Sequence, residues 1–389
     1  MEEFNAKYIP EISKNRDIKI VDSTLREGEQ AAGVAFRPEE KLKIALYDDE
    51  IGIDVIEIFA PSYSRSDAAT LELIQSAGLS RSELMLWNRL RREDIDLSLK
   101  HDPGWVAMCV GFSDIHLNEK LRKGREEVAE TCIELIDYVH DHGTKASLHM
   151  EDSTRTELKH LADVVQNLNA DKFRDCDTLS MLLPQSAYHR IRYLTSSTKK
   201  PLEVHYHNDR GMALANSISG MLGGASWISS TWNGIGDRAG NAPTEEVLLL
   251  LTELYGIERF DLPKTIEVCD FVSDASRVPI PRFKPITGRD VFTIQSGIHQ
   301  DGMLKHKGTY QPFAPEIVRR NWKFVIGSTS GRTGLDHVLN HEFGYRLPDD
   351  EKRQIEILEW AKKRAAEKKS YLSEKDLREM IRRFDLQSC

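Results

Sequence analysis

The sequence predicts an α/β protein: a (β/α)8 TIM barrel followed by a smaller, mostly helical C-terminal region. The first two-thirds of the 389 residues alternate short apolar segments with amphipathic ones, which is the pattern of repeated strand–helix units. Eight such units in about 240 residues are typical of a (β/α)8 barrel. The same alternation also fits an open, doubly wound parallel sheet. The barrel is the first expectation, and the open sheet remains the alternative.

Eight segments rich in apolar or β-branched residues are the candidate strands. They are residues 18–22, 54–58, 84–87, 105–110, 145–150, 178–181, 202–206 and 227–231. Helices are expected between them, and Pro38 suits the first turn of one such helix. The clearest candidates are residues 38–51, 119–142 and 211–222, and a last helix that begins at Thr244.

The alternation ends after Gly256, where a different organisation begins. Residues 277–285 are rich in proline and predict an extended connector, because proline disrupts a helix interior. Residues 291–345 are glycine-rich and irregular, whereas residues 349–369 are strongly helical, and Ser373 is a candidate N-cap for a final short helix. We therefore expect an N-terminal extension (1–17), a catalytic barrel (18–276), a connector (277–290) and C-terminal subdomains (291–389).

The composition excludes several classes of protein. The chain has 53 Lys and Arg against 62 Asp and Glu, a formal net charge of −9, which argues against a nucleic-acid-binding protein. We find no apolar run of the length that a membrane span needs and no apolar signal core at the N-terminus. The five cysteines are scattered without a CxxC motif. Reduced thiols and a cytoplasmic location are therefore expected.

Three polar segments follow candidate strands, at the end of the barrel where active sites lie. They are residues 22–30, 205–209 and 233–241. His205 and His207 are two residues apart in a strand, so both imidazoles can face the same mouth. Two imidazoles and a distant carboxylate can form a divalent-metal site with open positions. An isolated pair of this kind is more often structural, so the inference depends on the three segments together.

These segments, DSTLREGEQ, HYHNDRGMALAN and NGIGDRAGNAPTEEV, resemble the signature segments of the 2-isopropylmalate synthase and homocitrate synthase family. The resemblance continues in SDIHLNEKLRKGREEV, MEDSTRTE and SGIHQDGMLKHKGTY, and so covers residues 18 to about 345. The last of these is typical of synthases that condense acetyl-CoA. It separates them from the aldol-type lyases that share the barrel.

The resemblance implies a Claisen-type condensation of acetyl-CoA with a 2-oxo acid. Hydrolysis of the thioester then gives a 2-substituted malate and CoA, so the enzyme is an acyltransferase that converts the acyl group to alkyl. Arg26 would stabilise the developing alkoxide, with Asp22 and Glu57 holding its guanidinium. The implied divalent ion, which could be Mg, Mn, Co or Zn, would be bound by Glu27, His205, His207 and Asn241.

The resemblance also implies residues for proton transfer and substrate binding. His299 matches the catalytic histidine of the family, Tyr310 matches a tyrosine that works with it, and Glu151 would complete this group. Thr178 matches the threonine that binds the oxo-acid carboxylate, and Gln30 lies close to the metal ligands. In this family the histidine and tyrosine typically come from the partner subunit, which implies a homodimer.

Several positions depart from the family pattern. His149 stands where relatives carry a small residue, Ser147 replaces an arginine of lysine-pathway homocitrate synthases, and Arg210 follows the HND motif. Asn88 and Arg89 are candidate polar residues of the pocket. We expect His149, Arg89 and Arg210 to favour an anionic oxo acid resembling oxaloacetate or phosphonopyruvate. The alternative is that the arginines point outward and the chain is an isopropylmalate or homocitrate synthase proper.

Two other functions compete with the condensing reaction. An aldol-type lyase would keep the metal ligands but not His299 with Tyr310. A barrel that has lost catalysis and serves protein binding is a further alternative, although Arg26, Glu27 and the three histidines are all present. Since the sequence stops after the helical segment around residues 377–384, we also expect no leucine-type regulatory domain.

Overall fold

The computed structural model describes residues 5, 7, 8 and 17–389. The expected N-terminal extension (1–17) therefore lies almost wholly outside the described residues. The chain divides into two compact units, Met1–Ile280 and Pro281–Cys389. The finer division into barrel, connector and C-terminal subdomains stays a prediction.

Eight parallel strands of the described chain close into a barrel, each paired with the next in sequence and the last with the first. This confirms the (β/α)8 barrel and excludes the open sheet. The strands are β1 (Lys19–Asp22), β2 (Val55–Phe59), β3 (Glu83–Arg89), β4 (Trp105–Gly111), β5 (Lys145–Glu151), β6 (Lys172–Asp177), β7 (Leu202–Tyr206) and β8 (Trp227–Ser230).

The helices that alternate with these strands include those expected after β1, β7 and β8. They are α1 (Pro38–Ile51), α2 (Arg65–Ala77), α3 (Arg92–Leu99), α4 (Arg125–Asp141), α5 (Leu158–Asn167), α6 (Pro184–Thr198), α7 (Ala213–Gly223) and α8 (Thr244–Tyr255), followed by α9 (Thr265–Ser276). The helix expected over residues 119–142 begins later, because a π-helical turn (His116–Leu121) precedes α4. Among the described residues, every helix is too short or too polar to cross a bilayer.

The expected strand at residues 178–181 is wrong. The sixth strand is β6, and residues 178–181 form the turn that follows it. Its sequence, KFRDCD, contains four charged residues and reads as a polar loop. Each residue of β6 is nevertheless buried, because Lys172, Arg174 and Asp175 meet opposite charges on neighbouring elements. The Asp177 carboxylate accepts hydrogen bonds from the backbone N–H groups of Met181 and Leu182.

A row of buried ion pairs crosses the barrel interior. Lys172 Nζ lies 2.5 Å from Glu203 Oε2, and Glu203 Oε1 lies 2.6 Å from Arg174 Nε. Arg174 Nη1 then donates to both carboxylate oxygens of Glu57 at 2.9 Å. All four side chains are fully buried. Buried charges of this kind persist only when they are paired, so the row fixes β6 and β7 against β2.

The second unit has its own apolar core. Its elements are β9 (Thr293–Ile294), paired with β10 (Lys323–Phe324), and α10 (Gly297–Lys305), α11 (Arg332–Val338), α12 (Glu351–Lys368) and α13 (Glu374–Arg383). Leu335, Ile357 and Met380 are among the buried residues that join α11, α12 and α13. The Ser373 hydroxyl accepts from the Asp376 backbone N–H, which confirms the expected N-cap.

Replacing Lys172 with methionine tests the buried row. The variant leaves Glu203 without one of its two cations, so we expect a loss of about 3–5 kcal/mol in the free energy of unfolding. Lys145→Met is the matched control, because Nζ of each lysine lies 4.9 Å from the Trp105 ring centroid. Lys145 is half exposed and pairs with Glu83, so its loss should cost less than about 1 kcal/mol. Equal effects in urea unfolding would contradict a stabilising role for the buried row.

Candidate active site

A cavity of about 710 Å³ opens at the carboxyl ends of the barrel strands. It is lined by residues of the strands and of the loops that follow them, as expected for this fold. The residues predicted for the site that line it are Arg26, Glu27, Gln30, Arg89, His149, Glu151, Thr178, His205 and His207.

Three of the predicted metal ligands come together at this mouth. Glu27, His205 and His207 each offer one ligand atom, and these atoms lie within 4.8 Å of one another. His205 Nε2 lies 3.5 Å from one Glu27 oxygen and His207 Nε2 lies 3.9 Å from the other. The cluster forms because β7 directs His205 inward and the loop after β1 brings Glu27 to the same point.

A chain of hydroxyl groups sets the tautomer of His205. Ser23 donates to the Glu57 carboxylate, so its oxygen is free to accept from Ser229 at 2.9 Å. The Ser229 oxygen lies 2.9 Å from His205 Nδ1. Since the Ser229 proton is already donated, Nδ1 must carry the hydrogen. The lone pair of His205 Nε2 therefore faces Glu27, which is the orientation that a metal-binding imidazole needs.

The charge states of this cluster suit a cation. Burial lowers the pKa of His205, and burial together with His205 lowers the pKa of His207 to about 4. Burial opposes ionisation of Glu27, but Arg26 and His205 outweigh it and hold the pKa of that carboxyl well below its usual value. Two neutral imidazoles and an ionised carboxylate are the forms that bind metal ions.

Asn241 adds an amide to the cluster. Its Nδ2 lies 3.4 Å from His205 Nε2, and its buried Oδ1 has no hydrogen-bond partner among the described residues. A Cβ on Gly236 would lie 2.2 Å from Asn241 Oδ1 and 3.3 Å from Glu27 Cγ, so this glycine is required for the approach. The four residues fit a divalent cation with nitrogen and oxygen ligands. Their role as ligands stays a prediction.

Arg26 lies beside the cluster and is held by carboxylates. Its Nη2 donates to Glu57 Oε2 at 3.0 Å, and its Nη1 contacts Glu27. The expectation that Asp22 also holds this guanidinium is wrong. The Asp22 carboxylate instead accepts from the Thr24 hydroxyl at 2.8 Å. Burial raises the pKa of Asp22 to about 7, because no cation of the described chain stands against it.

His149, Arg89 and Arg210 were expected to bring positive charge to the side chain of the oxo acid, and the structure gives each of them a different charge state or contact. Burial and the neighbouring Arg174 hold the pKa of His149 well below its usual value, so His149 is neutral and the expectation of a charge there is wrong. Arg89 lines the cavity, but its guanidinium forms two hydrogen bonds with Asp94 at 2.6 and 2.7 Å. Arg210 donates to the backbone oxygens of residues 179 and 180.

The cavity contains a cation that the sequence analysis missed. Arg174 of β6 is fully buried and lines the cavity. The signal that could have found it is the period of two in β6, which directs Lys172, Arg174 and Cys176 to one side of the strand. The charged residues on both faces of the segment concealed that period.

The remaining predicted residues have defined contacts. Glu151 lies 2.5 Å from Lys120 Nζ, and the Thr178 hydroxyl accepts from the Asp152 backbone N–H at 2.8 Å. In the second unit, the rings of His299 and Tyr310 are 4.2 Å apart. A Cβ on Gly302 would lie 2.6 Å from the Tyr310 ring, so glycine permits this stacking. The structure thus brings the pair together within its own unit.

The fold and the cluster at its mouth define a (β/α)8-barrel protein with a metal-ligand set. Comparison with family models identifies it further. Residues 17–272 match the model described as HMGL-like, and residues 286–370 match the homocitrate synthase post-HMGL domain. The chain belongs to the HMGL-like family, and it is an enzyme of the synthase type. Synthases of this family generally depend on a divalent metal and use acetyl-CoA.

Three relatives that are named as different synthases have similar sequence identity to this chain. The (R)-citramalate synthase of Methanocaldococcus jannaschii is 37% identical, over 94% of this chain and 74% of its own. The 2-isopropylmalate synthase 2 of Caldanaerobacter subterraneus subsp. tengcongensis is 37% identical, over 94% and 95%. The homocitrate synthase of Methanothermobacter thermautotrophicus is 37% identical, over 92% and 91%. Since a putative (R)-citramalate synthase of Methanothermobacter thermautotrophicus is also only 40% identical, over 87% of this chain and 68% of its own, identities this similar leave the substrate to be argued from the site.

Solved structures share the barrel. The HMG-CoA lyase of Bacillus subtilis superimposes with a TM-score of 0.62, over 69% of this chain and 96% of the lyase. At 15% sequence identity, this similarity concerns the fold alone.

Replacing His207 with alanine tests the metal-ligand set. We expect at least about a 100-fold lower affinity for Mn²⁺, since loss of only a hydrogen-bond partner of a ligand typically costs about 10–100-fold. Metal content after dialysis and titration calorimetry would measure this. His189→Ala is the control, because His189 is exposed on α6. Unchanged binding in the His207 variant would remove that residue from the ligand set.

The pKa of Asp22 predicts a pH dependence of stability. Its folded pKa is about 7 against an ordinary 3.8, so folding of the ionised form is penalised. The contribution is favourable at low pH and is lost as the pH rises from about 4 to 7. Burial and Asp22 also raise the pKa of the neighbouring Asp48 well above its usual value, so the two carboxyls act in the same direction.

Asp22→Asn should reduce this loss without abolishing it, because burial still raises the pKa of Asp48; the difference in unfolding free energy between wild type and variant across pH measures this. Asp49→Asn is a control of opposite sign, because hydrogen bonds from Ser80 and Ser82 lower the pKa of Asp49 despite burial. A flat difference curve for Asp22→Asn would show that Asp22 titrates normally.

Proposed function

We propose that this chain condenses acetyl-CoA with a 2-oxo acid. The methyl carbon of acetyl-CoA loses a proton and forms a carbon–carbon bond with the keto carbon of the oxo acid. Water then cleaves the thioester, which releases CoA and leaves a 2-substituted malate. The observation that carries the proposal is the joint presence of the Glu27, His205 and His207 cluster with Arg26 beside it, in a barrel followed by the post-HMGL domain.

The barrel residues act on the oxo acid. A divalent ion held by Glu27, His205, His207 and Asn241 would polarise the keto group when bound. Arg26 stands against the negative charge that develops on the keto oxygen, and Glu57 fixes the guanidinium at 3.0 Å. A charge fixed in advance in a buried site stabilises the transition state without the cost of reorganisation. Thr178 binds the carboxylate, and Gln30 completes this side of the cavity.

The second unit supplies the proton-transfer groups. His299 removes the methyl proton, and Tyr310, stacked on it at 4.2 Å, orients the imidazole. Glu151, which lines the cavity of the barrel, completes the group. We propose that the chain forms a homodimer in which His299 and Tyr310 serve the partner's site. The cytoplasmic location expected from the cysteines remains part of the same proposal.

An aldol-type lyase is the less favoured reaction. The lyase relatives support the barrel alone, since they match at 15% identity. The match of residues 286–370 to the homocitrate synthase post-HMGL domain favours a condensing enzyme. A condensing enzyme forms the carbon–carbon bond and hydrolyses the thioester, whereas a lyase cleaves a carbon–carbon bond.

Release of CoA thiol tests the proposal. Purified protein with Mg²⁺ or Mn²⁺ and acetyl-CoA should release thiol only when a suitable 2-oxo acid is added, and chelation of the metal should stop it. His299→Ala should lower kcat by about 10²–10⁴-fold, the usual contribution of a general base, with unchanged metal content.

His341→Ala is the matched control for His299. His341 is also exposed in the second unit, and its ring stacks on His337 at the same 4.2 Å. A loss of stacking should affect both variants, whereas a loss of the base should affect only His299→Ala. Equal activities in the two variants would exclude His299 as the base, and thiol release without any oxo acid would exclude the condensation.

A further inference from the structure

We propose that the deep wall of the cavity binds a second acidic group of the oxo acid through Arg174 and His149. The substrate is then a short 2-oxo acid with an additional carboxylate or phosphonate. This inference rests on the proposed condensation, because it names the substrate class of that same site.

Two buried side chains in the cavity wall have unused hydrogen-bonding atoms. Arg174 Nη1 donates to Glu57 and its Nε lies 2.6 Å from Glu203 Oε1 as an ion pair without hydrogen-bond geometry, whereas Nη2 has no hydrogen-bond partner among the described residues. Neither ring nitrogen of His149 has one either, and the Glu57 oxygen nearest to Nδ1 lies 3.6 Å away. Both residues are at least 99% buried and line the cavity. Unused polar atoms at such depth are costly unless a ligand satisfies them.

The two side chains are neighbours on the wall. His149 of β5 is in register with Arg174 of β6, so one ligand group can reach both. Arg174 Nη2 is a permanently charged donor, and a neutral imidazole donates from whichever nitrogen carries its hydrogen. A charged group with several acceptor oxygens satisfies both donors, whereas an isopropyl or methyl group satisfies neither.

The depth of Arg174 sets the length of the substrate. Cys176 is in register with His205, and Arg174, two residues earlier, is in register with Glu203. The Arg174 backbone therefore lies about 6.6 Å along the strand from the level of His205, at about 3.3 Å per residue. An acid that places its keto group at the cluster reaches Arg174 with one or two atoms between the keto carbon and the second acidic group.

The charges of the buried row favour a doubly acidic substrate. Arg26 and Glu27 extend this row from Glu57. The extended row contains equal numbers of cations and carboxylates, which are Lys172, Arg174, Arg26, Glu203, Glu57 and Glu27. A divalent ion at Glu27 adds two positive charges to a buried region in which uncompensated charge is costly. A substrate with two acidic groups balances these two positive charges, whereas a substrate with one acidic group leaves one positive charge uncompensated.

Thiol release by the wild-type protein across a panel of oxo acids is the first test. The panel is oxaloacetate, phosphonopyruvate, 2-oxoglutarate, pyruvate and 2-oxoisovalerate. We expect kcat/KM for one of the three diacids (oxaloacetate, phosphonopyruvate or 2-oxoglutarate) to exceed that for pyruvate by about 100-fold or more, and the preferred diacid identifies the acidic group and the chain length. Preference for pyruvate or 2-oxoisovalerate would overturn this inference and leave the condensation intact. No release with any acid would refute the condensation, and this inference with it.

His149→Leu tests the wall directly. Leucine fills a similar space without ring nitrogens, so we expect unchanged thermal unfolding and metal content. The ratio of kcat/KM for the preferred diacid to that for pyruvate should fall about 10–100-fold, mostly through KM for the diacid. Affinity for the diacid without acetyl-CoA, measured by calorimetry, should fall by a similar factor.

Ser147→Ala is the control for that variant. Ser147 precedes His149 by two residues in β5, and its buried hydroxyl also has no hydrogen-bond partner among the described residues. Its removal should leave the substrate ratio unchanged. Arg174→Lys keeps the charge but removes Nη2, and in folded protein it should lower the ratio as His149→Leu does. A ratio unaffected by His149→Leu would remove His149 from the substrate subsite.

Discussion

The site depends on a continuous row of alternating buried charges. It runs from Lys172 through Glu203, Arg174, Glu57 and Arg26 to Glu27. Glu203 and Glu57 each stand between two cations, and Glu27 ends the row beside Arg26, so removal of one member leaves charge in the barrel incompletely compensated. This constraint fixes β2, β6, β7 and the loop after β1 relative to one another. The geometry of Arg26 and Glu27 is therefore a property of the whole barrel interior.

The row also prepares the cluster for a cation before one arrives. Burial alone would favour a protonated Glu27, yet Arg26 keeps that carboxylate ionised. The hydroxyl chain from Glu57 through Ser23 and Ser229 orients His205. Glu57 is common to both arrangements, since it holds Arg26 and also accepts from Ser23. One buried carboxylate thus couples the electrostatic side of the site to its ligand geometry.

The sequence was sufficient for the barrel and for the residues that follow its strands. A period of two places His205 and His207 on one face, and strand ends meet at one mouth, whereas Glu27 was assigned to them through the resemblance of its segment to the family. Arg174 could not be found in this way, because its partners Glu57 and Glu203 lie in two other strands and become neighbours only when the barrel closes. The charge state of His149 could not be predicted for the same reason. Its position in the pocket could be inferred from the sequence, but its pKa is lowered by burial and by Arg174, which lies in another strand.

An arginine inside a barrel strand differs physically from arginines at or beyond the strand ends in how it can select a substrate. Arg89 and Arg210 lie at or beyond strand ends, where a carboxylate or backbone oxygens already satisfy them. Arg174, which lines the cavity, is held by Glu203 and Glu57 of the buried row, so its guanidinium has little freedom to move. A rigid donor loses little conformational entropy on binding and discriminates strongly by geometry. Replacing it with an apolar side chain would deprive Glu203 and Glu57 of one of their two cations. Substrate selection and stability are therefore coupled through the same guanidinium.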